Sequence, residues 1–163
     1  SNVQLYNWVM RIGWFPAKTY SLGEIKIPDE SFRDFLRGHL DGDGNIRFYE
    51  DRYNFYKGRG YTANRLFVRF VSASKSHVIW LRGKISKLAG VHGALIEEKP
   101  RDIKRVSIWE VKFSKKESVR LLQWIYYNPA LPALERKRSL AENALETIAH
   151  ETRRKYSKIA TPV

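Results

Sequence analysis

The spacing of apolar residues changes along this chain, and each change marks an element. Over residues 3–12, VQLYNWVMRI, the residues Val3, Tyr6 or Asn7, and Met10 fall one turn apart and predict a short amphipathic helix. Gly13, Pro16, Gly23 and Pro28 then interrupt any period and predict a loop. Residues 28–40, PDESFRDFLRGHL, return to helical spacing through Phe32, Phe35, Leu36 and Leu40, with Asp29 or Ser31 as cap and Ser31 with Asp34 resembling a capping box. From Asn45 the period drops to two: Ile46 and Phe48 face one way, and Asn45, Arg47, Tyr49 and Asp51 the other. KGRGYTAN, residues 57–64, reads as a hairpin tip, after which Leu66, Val68 and Phe70 point inward and Arg65, Phe67, Arg69 and Val71 outward. Residues 75–89 are helical through Val78, Leu81, Ile85 and Leu88, and Gly90 ends that helix.

A second round follows. Residues 93–99 predict a strand, 100–104 a turn and 105–113 a strand that carries Lys112. Residues 114–128 predict a helix opened by Ser114 with Glu117 three positions on, and Pro129 stops it. Residues 132–150 predict a last helix. Two hairpins alternating with helices give an α+β class: one antiparallel sheet with its helices gathered on one face. The other face is left free, and on it Arg47, Arg65 and Arg69 sit among Tyr49, Tyr53 and Phe67. Residues 1–27 read as an N-terminal extension, a remnant of a longer reading frame. Residues 28–150 read as the domain, and residues 151–163, ETRRKYSKIATPV, as a basic tail, partly disordered.

Charge sharpens this picture. Thirty Lys and Arg against seventeen Asp and Glu leave +13, which favours a polyanionic partner, nucleic acid before an anionic membrane. The plain alternative is solubility. The absence of cysteine excludes disulfides, thiolate zinc sites and cysteine nucleophiles, and favours a reducing compartment. No apolar run has the length of a membrane span, and an intracellular location is expected. Histidines show no ligand spacing; His39, beside the acids, is expected to pack beneath the sheet. The tryptophans Trp8, Trp14, Trp80, Trp109 and Trp124 are expected to serve packing rather than base stacking.

The stretch FLRGHLDGDGNIRF, residues 35–48, places Asp41 and Asp43 where a helix ends and a strand begins. Three readings compete. A calcium loop of the EF-hand kind fails, because Ile46 stands where the loop needs glycine and Arg52 where it needs glutamate. A structural turn suits Asp and Gly. A metal site is the third. Carboxylates at a helix C-terminus oppose the helix dipole, a cost that a divalent cation would offset. Magnesium takes one or two carboxylates with water and phosphate oxygens, as phosphodiester hydrolysis requires.

These residues resemble the signature of the LAGLIDADG homing endonucleases. Residues 36–44, Leu-Arg-Gly-His-Leu-Asp-Gly-Asp-Gly, lie over that motif: Leu36, Gly38, Asp41, Asp43 and Gly44 match by letter, Leu40 and Gly42 are mild variants, and Arg37 and His39 depart from it. Arg37 is expected to point to solvent or pair with an acid. The order of elements is similar to the family's, αββαββα with a DNA-binding saddle, and ALERKRSLA (133–141) resembles its late segment. The likeness spans residues 28–149.

The resemblance implies a site-specific, double-stranded DNA endonuclease of the intron- or intein-encoded kind. It implies Asp43 as the catalytic, metal-binding carboxylate and Gly42 as a carbonyl ligand. Lys137 is implied to organise the attacking water or neutralise phosphate, and Ser74 and Lys75 to stand in the water network. Asn45, Arg47, Tyr49, Asp51, Arg65, Phe67, Arg69 and Lys112 are implied to contact DNA, and Leu36, Gly38 and Asp41 to lie at a dimer interface, with Asp41 structural. Mg2+ is the implied cofactor, with Mn2+ as a substitute and Ca2+ binding without cleavage. Only one motif is present, which implies a symmetric homodimer leaving short 3′ overhangs. A strand of about ten residues matches about ten base pairs, so the dimer is expected to cover about twenty on a nearly palindromic site. The rival reading is a cleavage-inactive binder on the same scaffold, a transcription regulator or, with RNA as partner, an intron maturase. A membrane-surface protein fits poorly.

Overall fold

The computed structural model describes residues 2–12, 22–99 and 107–159. The predicted breaks at Gly13 and Pro16, Trp14 and the turn at 100–104 lie outside them.

Helix α1 (Asn2–Arg11) comes first, and a 3-10 turn (Asp29–Ser31) leads into α2 (Phe32–Gly42). Strands β1 (Asn45–Tyr56) and β2 (Arg59–Ser72) form a hairpin, followed by α3 (Lys75–Ala89). Strands β3 (Ala94–Glu98) and β4 (Ile108–Phe113) form a second hairpin, followed by α4 (Lys115–Ile125) and α5 (Glu135–Ile159). The four strands make one antiparallel sheet in the order β1-β2-β4-β3. This is the predicted α+β arrangement. Alternation along β2 explains its packing: Leu66, Val68 and Phe70 are wholly buried against Leu36 and Leu40 of α2, Leu81 of α3 and Leu121 of α4 in one core. Ser118 joins that core because its hydroxyl is satisfied: it donates to the Phe113 carbonyl (2.9 Å) and accepts from the Val68 amide (3.1 Å).

Several local expectations are corrected. The first hairpin turns at Lys57 and Gly58 alone, both with positive φ (51° and 76°), and residues 59–64 are strand rather than tip. A two-residue turn of this kind keeps the strands paired to their ends. Ser31 and Ser114 make no side-chain cap. Asp34 instead pairs with Arg37 (2.8 Å), and Glu117 accepts from the amides of His92 (2.8 Å) and Gly93 (3.2 Å). Helix α5 runs through the expected boundary at residue 150 to Ile159. It is fastened there by Glu151, which accepts from Asn64 (2.6 Å) and Lys115 (2.9 Å). Leu22 and Ile25, in the expected extension, are buried.

Candidate active site and nucleic-acid face

The motif helix α2 buries Phe32, Leu36 and Leu40 completely, because residues four apart share a face. Leu36 is therefore a core residue of this chain, not a dimer contact. Arg37 is only 5% exposed, so it does not reach solvent. It pairs with Asp34 and donates from Nε to the Pro132 carbonyl (2.9 Å), which ties α2 to the segment entering α5. On the opposite side Gly38 and Gly42 are exposed, and a Cβ on either would meet nothing within 4 Å. Nothing described in this chain requires glycine at those two positions.

The helix end is built by backbone acceptors and one lysine. The amides of Asp43 (3.0 Å) and Gly44 (3.1 Å) both donate to the His39 carbonyl. Gly44 cannot be another residue: a Cβ there would stand 2.7 Å from the Leu40 Cα and 2.9 Å from its oxygen. Lys137, 6% exposed, donates to the carbonyls of Leu40 (2.5 Å), Asp41 (2.9 Å) and Gly44 (2.8 Å). These are groups a helix C-terminus leaves without partners. An ammonium carries three protons, and all three are used. Where the resemblance implies Lys137 beside the attacking water or a phosphate, the structure has it holding the turn that presents Asp43. Burial pushes its pKa down, with Arg136 acting the same way and Asp41 and Asp43 opposing.

The two aspartates part company. Asp41 turns back into its own chain, accepting from the Leu134 amide (2.9 Å) and the Tyr126 hydroxyl (3.4 Å). Its carboxylate is thus taken up within the chain, in the structural part expected of it. Burial and the Asp41 carboxylate push the Tyr126 phenol up. Asp43 caps α2 and is exposed, and among the described residues no side chain pairs with its carboxylate. Gly42 beside it offers the next carbonyl. Both line a cavity of about 540 Å³ with Gly38, His39, Ser72 and His77, walled by Leu22, Ile25 and Phe35.

Beneath Asp43 the structure shows an arrangement that sequence reasoning missed. His39 and His77 stack with rings 5.6 Å apart and 8° from parallel, and their Nε2 atoms lie 3.3 Å apart. His77 Nδ1 lies 3.0 Å from the Gly23 carbonyl. Burial pushes the pKa of His39 down. His39 packs edge-on to Phe70, as expected of a residue beneath the sheet. Ser74 is also corrected. It is 1% exposed and caps α3, bonding the His77 amide (3.5 Å) and donating to the Leu22 carbonyl (2.5 Å). A Ser immediately before a helix is a capping signal, and that signal outweighs a role with water. Lys75 is exposed with its ammonium 4.4 Å from the centre of the Trp109 ring, and neither it nor Ser74 lines the cavity at Asp43.

The predicted outward face is assembled as strand alternation requires. Register places Asn45 beside Arg69, Arg47 beside Phe67 and Tyr49 beside Arg65, with Lys112 next to Arg69 across β4. Arg47 lies over the Tyr49 ring (4.8 Å) and Lys112 over the Phe67 ring (4.4 Å). Arg65 donates to Asp51 (3.1 Å) and Asn54 (2.7 Å). The Tyr53 amide, more than Arg65, lowers the pKa of Asp51. Arg69 reaches Glu110 (3.3 Å) and Asn45 (3.4 Å). Glu110 was overlooked, although period two from Lys112 places it on this face. From the bulge between Asp51 and Asn54 onward, Tyr53, Phe55 and Tyr56 stand 92%, 76% and 68% exposed along the hairpin arm.

Among the described residues no group of three His, Cys, Asp or Glu is placed to hold a metal ion, and no helix is long and apolar enough to cross a membrane. No protein-family model matches the chain, and no curated protein matches it in sequence. Solved structures do match. The homing endonuclease I-CvuI, in complex with an I-CreI target in the presence of Mg and with the DNA not cleaved, is 20% identical with a TM-score of 0.51, covering 74% of this chain and 68% of its own. The homing endonuclease I-TnaI is 16% identical with a TM-score of 0.52, covering 74% of each chain. The archaeal intron-encoded homing endonuclease I-Vdi141I, complexed with DNA, is 10% identical with a TM-score of 0.51, covering 76% of this chain and 72% of its own. The chain thus has the homing-endonuclease fold, and it carries on α2 the motif by which its sequence resembles the LAGLIDADG family.

Proposed function

We propose that the chain is a member of the LAGLIDADG family and a metal-dependent, site-specific endonuclease of double-stranded DNA. The observation that carries this is the exposed Asp43, fixed at the end of α2 with no described partner while Asp41 and Lys137 are consumed in holding the turn. A turn kept only for structure would need Asp41 and Gly44 but not a second carboxylate presented to solvent. The outward sheet face supplies the rest. Arg47, Arg65, Arg69 and Lys112 grip phosphate and base edges, while Asn45, Tyr49, Asp51 and Phe67 shape the readout. The net charge of +13 fits a substrate whose affinity comes largely from phosphate. A DNA substrate also agrees with an intracellular location.

At this site the described residues offer one carboxylate without a partner and one nearby carbonyl, a set that suits Mg2+ or Mn2+ only with further oxygens from DNA, water and a second fold unit. The bare face of Gly38 and Gly42 is where a second motif helix can approach closely, bringing its own aspartate beside Asp43. A symmetric homodimer is the form in which this chain alone builds that pair, and it would read a nearly palindromic site. Asp43 and the Gly42 carbonyl would hold a cation there, and it would supply hydroxide at neutral pH and charge stabilisation for the leaving oxygen. The chain's own part is to hold Asp43 on a rigid turn and to lay the DNA across the sheet.

The test begins with a randomised duplex library. Sequences bound in Ca2+ are recovered and then challenged with Mg2+. Selective binding followed by cutting of both strands supports the proposal. Selective binding with no cutting in any divalent cation, by this chain and by one that carries a second fold unit ahead of it, supports a binder on this scaffold and rejects the nuclease.

A further inference from the structure

Helix α1 has no place in the core. Val3, Leu5, Tyr6 and Trp8 are 63%, 61%, 54% and 57% exposed, and Met10 is 37% exposed. A ten-residue helix is marginal in water by itself, so its apolar face implies a surface that covers it. The sequence identifies that surface. NVQLYNWV at the start of α1 repeats SVRLLQWI of α4: Val3, Leu5 and Trp8 recur as Val119, Leu121 and Trp124, and Val9 is matched by Ile125. The correspondence continues at the same constant spacing, with Pro16 and Ala17 recurring as Pro132 and Ala133.

The two copies differ in their surroundings. In α4, Leu121, Leu122 and Ile125 are wholly buried beneath the sheet, and Trp124 packs against the same core. In α1 the matching Leu5, Tyr6 and Trp8 stand in solvent. An α4-like face fits the surface that α4 fills, the underside of an antiparallel sheet flanked by a motif helix. That seat in this chain is already occupied by α4 itself.

We infer that α1 is the α4 of another fold unit, one that precedes the motif helix on the same polypeptide. The second motif helix, and with it the second carboxylate, then comes from a tethered and non-identical unit, in place of the symmetric homodimer that is the form open to these 163 residues alone. The two halves of the DNA target need not be related by symmetry. The inference deepens the proposed nuclease by naming the source of its second carboxylate, but its test reads folding and is independent of cleavage.

The test is amide hydrogen exchange at residues 3–11. In the 163-residue chain these amides are expected to exchange freely at every protein concentration. A longer chain is made with residues 28–117 placed directly ahead of Asn2, so that α1 falls where α4 belongs. There the same amides should gain protection of about 100-fold or more. Leu5→Asp should abolish that protection while leaving the melting of the 163-residue chain unchanged. A control carries residues 118–128 in place of 2–12. Protection of the helix in the control but not behind α1 overturns the inference. So does absence of protection in both, because a unit placed ahead then has no seat for this helix. Concentration-dependent protection in the 163-residue chain also overturns it, by assigning α1 to a second copy of this chain.

Discussion

Lys137→Met is the substitution whose cost the structure states most directly. Methionine keeps the length of the stem and removes the ammonium that reaches the carbonyls of Leu40, Asp41 and Gly44. Each buried carbonyl left without a donor costs about 1–3 kcal/mol. Part of that is returned, because the ammonium is itself partly stripped of water, as its lowered pKa shows. A net loss of about 3 kcal/mol remains. For a chain of this size that is a fall in melting temperature of about 6–12 °C. Arginine should not rescue the fold, since a planar fork cannot serve three carbonyls from one point. The assay is thermal unfolding followed by circular dichroism, beside DNA cleavage. A Lys137→Met protein that melts with the wild type yet has lost cleavage would refute the reasoning and return this lysine to the water.

Removing the Asp41 carboxylate by Asp41→Ala frees the Leu134 amide and the Tyr126 hydroxyl, with an expected loss of about 1–2 kcal/mol in urea unfolding and no loss of assembly. His39 has a pKa pushed below its ordinary value of 6.5 by burial, so on acidification the unfolded chain takes up its proton first. Its contribution to stability is therefore complete above pH 6.5 and declines as the pH falls below that value. The melting-temperature difference between wild type and His39→Gln, followed from pH 8 to pH 5, should shrink in that direction. Arg69→Ala should weaken DNA binding and reduce the slope of log affinity against log salt by about 1, read by fluorescence anisotropy over a salt series.

The sheet was legible because strand alternation is a rigid rule. Knowing that Val68 faces the core places Phe67 and Arg69 on the far side, and pairing then brings Lys112 next to Arg69. Asp43 was legible for the same local reason, since the end of α2 and the start of β1 lie three residues apart. Lys137 was legible as a residue of the site, but its hold on the turn was not. Its reach into the turn depends on α5 bringing Lys137 to the end of α2, a tertiary fact with no trace in the run ERKR. Leu36 misled because a motif residue that lies at a helix pair can equally face inward, and here it is wholly buried. The cover formed by Leu22 and Ile25 was hidden by the glycine and proline around it, which mark irregular backbone but not where that backbone packs. The pairing of His39 with His77 joins α2 to α3, elements distant in sequence, and no spacing announces it.

The central claim is that Asp43 performs chemistry rather than shaping a turn. It is tested most directly by single-turnover cleavage of a selected duplex in Mg2+ by wild type and Asp43→Asn, with affinity in Ca2+ and melting temperature measured on the same samples. The account predicts that Asp43→Asn folds and binds DNA as the wild type does and leaves both strands intact. Cleavage at the wild-type rate by Asp43→Asn, or loss of its fold, would contradict it.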